Sequence, residues 1–181
     1  MFDISCSERT ETKFLLIDDD PIFTYLFNEI VRLDFNAEVL TAKYEDEALN
    51  KAVSERPSLI VLNLFLSLHG IPVSLVEGVK RELFGDLSGD ELGYSLGNGF
   101  RIAAMLKDRE ETRAIPILGL STLDRDFVRA GVRSARCDGF ITKPFAINDL
   151  VSNMENLMVK SQGMGWNRHG KEIWRKRQIE R

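Results

Sequence analysis

Short apolar runs that stop abruptly at polar residues set the tightest limit on how this chain can fold. Lys13–Ile17 reads KFLLI and meets Asp18, Asp19 and Asp20 at once. Leu59–Leu62 reads LIVL and meets Asn63, and Ile115–Leu120 reads IPILGL and meets Ser121 and Thr122. Gly139–Thr142 reads GFIT and meets Lys143 and Pro144. Runs this short, with little or no polar alternation, fit strands covered on both faces. Glu38–Thr41, EVLT, reads as one more strand of a more polar kind.

Helical spacing fills the gaps. Pro21 suits the first turn of a helix, an acid before it can cap, and Ile22, Tyr25, Leu26, Glu29, Ile30 and Leu33 follow at helical intervals with one polar interruption. Tyr44–Glu55 predicts a second helix with Ala48, Leu49, Ala52 and Val53 inward, ended by Pro57. Further helices are expected over Gly99–Lys107, Asp124–Ala130 and Ile147–Val159. The order β-α-β-α-β-(extra)-α-β-α-β-α predicts an α/β protein with an open, doubly wound, five-stranded parallel sheet. Any site then sits at the C-terminal ends of the strands.

The whole composition agrees with one soluble globular domain. Of 181 residues, 44% are hydrophobic and 29% charged, which excludes wholesale disorder. The net charge of −4 argues against a general nucleic-acid coat. No apolar run reaches the ~20 residues of a membrane span, and the N-terminus has no secretory pattern, so a cytoplasmic location is expected. Two cysteines, Cys6 and Cys137, and two histidines, His69 and His169, give neither a disulfide framework nor a zinc spacing.

The strand-end residues are therefore read together. Asp18, Asp19, Asp20, Asn63, Ser121, Thr122 and Lys143 combine carboxylates, hydroxyls and an ammonium on one edge. Such a set suits magnesium and a phosphoryl group, because hard oxygens hold the metal while hydroxyl and ammonium bind phosphoryl oxygens. Taken singly, each is weak: strand-end acids are often helix caps, and Lys-Pro is common in loops.

With those residues in view, the chain resembles the receiver domains of bacterial response regulators, the proteins of two-component phosphorelay signalling. The segments that carry the likeness are FLLIDDDP, PSLIVLNLFL, NGFRIAAMLKDREETRAIPILGLST and GFITKPF, in order over about residues 13–160. The resemblance implies a flavodoxin-like (β/α)5 fold. It implies that Asp18 and Asp19 help hold magnesium, with the Phe65 carbonyl as a further ligand. Ser121 would contact the phosphoryl group, Lys143 would bridge phosphoryl and carboxylate, and Phe140 would be the aromatic switch position. Asp20 falls just after the pair and is not a usual ligand.

The main departure is at the end of the third strand. The family carries the phosphoacceptor aspartate there, and this chain carries Asn63. A neutral amide cannot form an acyl phosphate, and losing its charge weakens any magnesium site. An amide could instead hydrogen-bond Lys143 or Asp19 and hold one conformation. Three explanations stand: a natural pseudo-receiver, a chain whose acceptor was replaced to silence it, or low-efficiency phosphorylation of Asp19 or Asp20. Ser67 also replaces a proline of the family pattern.

Length is the second departure. Asn63 and Ser121 lie 58 positions apart, where one helix and its loops need roughly thirty. The excess predicts a helical insertion over about residues 68–97, with Leu75, Val76, Val79 and Leu83 at helical spacing and a glycine-punctuated end. It reads as a flap on its own domain or as a partner surface. Residues 1–12 form an extension, and residues 161–181 a tail of net +4 with Trp166 and Trp174. The tail reads as a solvated helix packing its tryptophans on the domain or a second copy. It is too short for a DNA-binding domain.

The expected function is thus protein recognition in two-component signalling without aspartyl phosphorylation and without enzymatic turnover. Expected partners are a histidine kinase, another receiver, an output protein or a second copy, met through the fourth and fifth strands and their helices. The alternative is a phosphatase. Asp18 and Asp20 also resemble the nucleophile and acid/base pair of haloacid-dehalogenase-type enzymes, with Ser121 and Lys143 in support, although that family's second acidic pair is missing.

Overall fold

A computed structural model describes residues 12–66, 98–122 and 136–161. Five parallel strands form one sheet in the order β2-β1-β3-β4-β5: β1 (Lys13–Ile17), β2 (Glu38–Ala42), β3 (Leu59–Asn63), β4 (Ile117–Ser121) and β5 (Gly139–Thr142). The helices of the described residues are α1 (Pro21–Asp34), α2 (Glu45–Glu55), α3 (Asn98–Asp108) and α4 (Ile147–Ser161). The doubly wound parallel sheet is the one the apolar runs predict.

Burial follows position in the sheet. In the central strands β3 and β4 every residue is buried, and in β1 only Lys13 is not. The edge strands β2 and β5 are half-exposed, which explains the polar character of EVLT. Alternate residues of the same strands feed two cores. Leu15, Ile17, Ile60, Leu62 and Ile117 pack under α2 and α3 with Ala48, Leu49, Ile102 and Leu106. Phe14, Leu16, Leu59, Val61, Leu118 and Leu120 pack under α1 and α4 with Phe27, Val31, Leu150, Met154 and Met158.

On α1 the structure corrects the sequence reading. The inward residues are Phe23, Phe27, Ile30 and Val31. Ile22 is 79% exposed, Tyr25 72% and Leu33 71%, so most of the expected stripe faces outward. The helix carries two apolar stripes, and the one holding the phenylalanines buries more surface against the sheet. The strand expected from Ile115 begins at Ile117, because Pro116 donates no ladder hydrogen bond and its carbonyl instead accepts from Ile60 N–H at 2.9 Å.

Local chemistry fixes the helix ends that matter for the site. Asp20 caps α1, its Oδ1 accepting from Ile22 N–H at 2.8 Å and Phe23 N–H at 3.3 Å, with Pro21 in the first turn. α2 opens with Glu45, Asp46 and Glu47, acids that complement its N-terminal dipole. Behind α3, buried Thr112 donates to the Leu106 carbonyl at 2.7 Å, and Lys107 bonds the Ile115 carbonyl at 2.8 Å. The helix expected over 124–130, Ser67, the insertion at 68–97 with His69, the residues before Thr12 with Cys6, and the tail beyond Ser161 with Trp166, His169 and Trp174 lie outside the described residues.

Candidate functional site

Parallel pairing brings the strand ends to one edge. Ile17 pairs with Leu62, Asn63 with Leu120, and Ser121 with Thr142. Asp18, Asn63, Ser121 and Lys143 therefore emerge side by side, each directed by the strand before it. Asp18 is 1% exposed, Ser121 0% and Asn63 8%. A carboxylate this buried requires partners.

Asp18 has three. Its Oδ1 accepts from the Asp20 backbone N–H at 3.0 Å and from Asn63 Nδ2 at 3.2 Å. Its Oδ2 accepts from Lys143 Nζ at 3.2 Å. Asn63 Oδ1 accepts in turn from Phe65 N–H at 3.1 Å, which fixes which side of the amide faces Asp18. The amide thus bonds Asp18, where the sequence suggested Lys143 or Asp19. Lys143 has a second partner, since its ammonium lies 4.5 Å from the centre of the Phe23 ring. Phe23 itself meets Phe145 edge-on at 6.0 Å.

The backbone around these groups is pinned. Lys143 N–H donates to the Ser121 carbonyl at 2.6 Å, Leu64 N–H to that of Leu120 at 2.8 Å, and Asp18 N–H to that of Ala42 at 3.2 Å. The Lys143–Pro144 peptide is cis. Gly99 of α3 lies so close to the end of β3 that a Cβ there would meet the Asn63 carbonyl oxygen at 2.3 Å. That contact ties the pocket floor to the helix behind it.

The other predicted residues take clear places. Asp19 is half-buried beside the pocket, whereas Asp20 is exposed and serves as the α1 cap. Phe65 is half-buried and meets Phe100 edge-on at 5.6 Å. Phe140 is half-buried and packs against the core beneath α2 and α3. Thr122 is exposed. Cys137 packs against the same core as Phe140, and burial pushes its thiol up to about 12, which suits a packing residue and not a nucleophile.

A divalent cation fits this donor set poorly. Among the described residues no three His, Cys, Asp or Glu side chains gather closely enough to hold a metal. Both oxygens of Asp18 already accept hydrogen bonds, one from an ammonium, and the Asn63 oxygen accepts from Phe65. Magnesium demands hard oxygens in near-octahedral array. A metal on Asp18 would have to share that carboxylate with the Lys143 ammonium.

Phe23 and Gly99 were missed in the sequence. Phe23 was visible as the start of the Phe23-Phe27-Ile30-Val31 stripe, and Gly99 as the glycine opening an otherwise strong helix.

Comparison with known proteins agrees on the architecture. The fold matches that of the chemotaxis protein CheY4 of Vibrio cholerae, with a TM-score of 0.60 and 19% identity over 81% of this chain and 98% of that one. It also matches a CheY-like response-regulator receiver domain from Methanospirillum hungatei (0.61; 15% identity; 86% and 99%). A third match is the receiver domain of a sensor histidine kinase from Pseudomonas aeruginosa, solved with magnesium in its active-site cleft (0.59; 16% identity; 82% and 98%). The chain therefore has the flavodoxin-like fold of receiver domains. Among curated proteins it is 27% identical over 152 residues to the alkaline phosphatase synthesis transcriptional regulatory protein PhoP of Bacillus subtilis. The match covers 83% of this chain and 50% of that protein, so the chain spans about half its relative's length. No family model matches.

Proposed function

We propose that residues 13–160 form a receiver-type module of two-component signalling that acts by binding other proteins, with Asn63 in the acceptor position. One observation carries the reading. Asn63 ends β3 within hydrogen-bond reach of Asp18, whose other oxygen holds Lys143. These are the positions the sequence resemblance assigned to acceptor, metal-binding acid and phosphoryl-binding lysine. The amide lacks the charge and nucleophilicity that phosphoryl transfer needs.

In this reading Ser121 and Lys143 are the remaining phosphoryl-contact positions, and Phe140 remains the switch position. Asp18, Asp19, the Asn63 amide oxygen and the Phe65 carbonyl are at most weak ligands for magnesium, which would supply charge neutralisation. The module has no catalytic turnover, works in the cytoplasm, and meets a histidine kinase, another receiver or an output protein. The likeness to a transcriptional regulatory protein supports a regulatory role. The outward Ile22, Tyr25 and Leu33 of α1 add an apolar surface suited to such a partner. Among the described residues no helix is long and apolar enough to cross a membrane. The phosphatase alternative gains no support from the geometry, because Asp18 is buried behind three donors and Asp20 is engaged as a helix cap.

The test is intact mass after incubation with magnesium and a small phosphodonor, with Asn63→Asp alongside. The expected result is an unmodified parent and an aspartate variant that gains one phosphoryl group. A phosphorylated parent would overturn the reading and point to Asp19 or Asp20. If neither chain is modified, Asn63 is not the sole departure, and the assignment of this pocket as a receiver site lacking only its acceptor fails.

A further inference from the structure

We infer that Lys143 serves as this pocket's resident cation, taking the place of a divalent metal, so that the pocket's state is independent of magnesium. The inference deepens the proposed reading of the same site, but its test reads metal binding and not phosphorylation.

Three observations support it. First, the Lys143 ammonium sits 3.2 Å from Asp18 Oδ2, and the carboxylate is 1% exposed. The ammonium places a positive charge directly on the carboxylate that a metal would share. Second, its position is held from the other side by the Phe23 ring at 4.5 Å. A cation placed between a carboxylate and an aromatic face is favoured twice, by charge and by the ring quadrupole. Third, the position beside Asp18 at the end of β3 is neutral, so Asn63 adds no negative charge that would help hold a divalent ion. Adding a doubly charged ion at Asp18 would place it beside an ammonium, at a site where screening by water is reduced.

Asn63 completes the arrangement. Its Nδ2 donates to Asp18 Oδ1 while its Oδ1 accepts from Phe65 N–H. Both ends of the amide are therefore matched to this hydrogen-bond network. An aspartate in the same place would present an oxygen, not a donor, to Asp18, and the two carboxylates would repel unless a cation bridged them. The amide, the carboxylate and the ammonium thus form a closed set that holds the ends of β1, β3 and β5 together.

The experiment compares the full chain with Lys143→Met and Lys143→Arg, melting each with and without about 10 mM magnesium chloride. The parent and the arginine variant, which keeps a cation, are expected to show no magnesium-dependent shift. The methionine variant leaves the buried Asp18 carboxylate without its ammonium and is expected to gain a shift of about 2–4 °C. Calorimetric titration of that variant should show magnesium affinity at least about tenfold above the parent's. A parent that binds magnesium with a dissociation constant below about 1 mM overturns the inference. A folded methionine variant that stays unresponsive overturns it as well. Should that variant fail to fold, nitrogen-detected NMR of the Lys143 ammonium in the parent decides: a signal unmoved by magnesium supports the inference, and release of the ammonium refutes it.

Discussion

Gly99→Ala puts the contact between α3 and the pocket floor to a direct test. A Cβ at Gly99 would lie 2.3 Å from the Asn63 carbonyl oxygen, 2.5 Å from Leu64 Cα and 2.8 Å from Leu64 C. All three are backbone atoms, so no side chain can swing aside, and either the helix or the end of β3 must move. Overpacking a well-fitted interior costs about 1–3 kcal/mol, and contacts this short to backbone belong at the upper end. Alanine's better helix propensity returns up to about 1 kcal/mol. The net expectation is a loss of about 2 kcal/mol, or a melting point lower by about 4–8 °C for a chain of this length. Gly119→Ala is the control. Its Cβ would come nearest to the Leu64 side chain, at 3.0 Å to Cδ1 and 3.3 Å to Cγ, and not to backbone. Its cost is expected within about 1 kcal/mol. Thermal melts followed by circular dichroism would measure both. A Gly99→Ala chain that melts at or above the parent would refute the close approach.

Two further outcomes are expected. On α1, Phe27→Ala removes a fully buried ring and should cost about 3–5 kcal/mol in urea unfolding, whereas Tyr25→Ala, on the outward stripe, should stay within about 0.5 kcal/mol; equal costs would sink the assignment of the buried face. Glu47 is held below the usual glutamate range, chiefly by its bond to Lys51 and then by the Lys43 backbone N–H. Its depressed pKa means the stabilisation is present above the unfolded value of about 4.3 and is lost as pH falls through the lower folded value. Because the pair is more than a third exposed, Glu47→Gln should cost only about 0.5 kcal/mol at neutral pH. That difference from the parent should shrink toward zero as pH falls below the usual glutamate range, and a difference independent of pH would contradict the assignment.

How much of this was legible beforehand depended on which interaction decided each feature. The runs KFLLI, LIVL, IPILGL and GFIT read as strands because the central strands of a parallel sheet are buried on both faces and admit few polar side chains. Their polar successors Asp18, Asn63, Ser121 and Lys143 were legible as a group because parallel strands must all end on one edge. The orientation of α1 was not legible. The expected stripe Ile22-Tyr25-Leu26-Ile30-Leu33, with Glu29 as its polar interruption, and the stripe Phe23-Phe27-Ile30-Val31 share only Ile30 and are both apolar at helical spacing, and only contact with β1, β3 and α4 selects the second.

The sequence by itself thus determined the alternation of strands and helices, the edge where the polar residues gather, and the amide in place of a carboxylate at position 63, since all three follow from residue type and order along the chain. Tertiary structure alone decided the pairing within the pocket. Residues 18, 63 and 143 are far apart in sequence, so no local pattern encodes that the Asn63 amide donates to Asp18 while Lys143 rests between Asp18 and the Phe23 ring. Burial made that choice, because a carboxylate taken from water must find its donors among whatever the converging strand ends bring within about 3 Å.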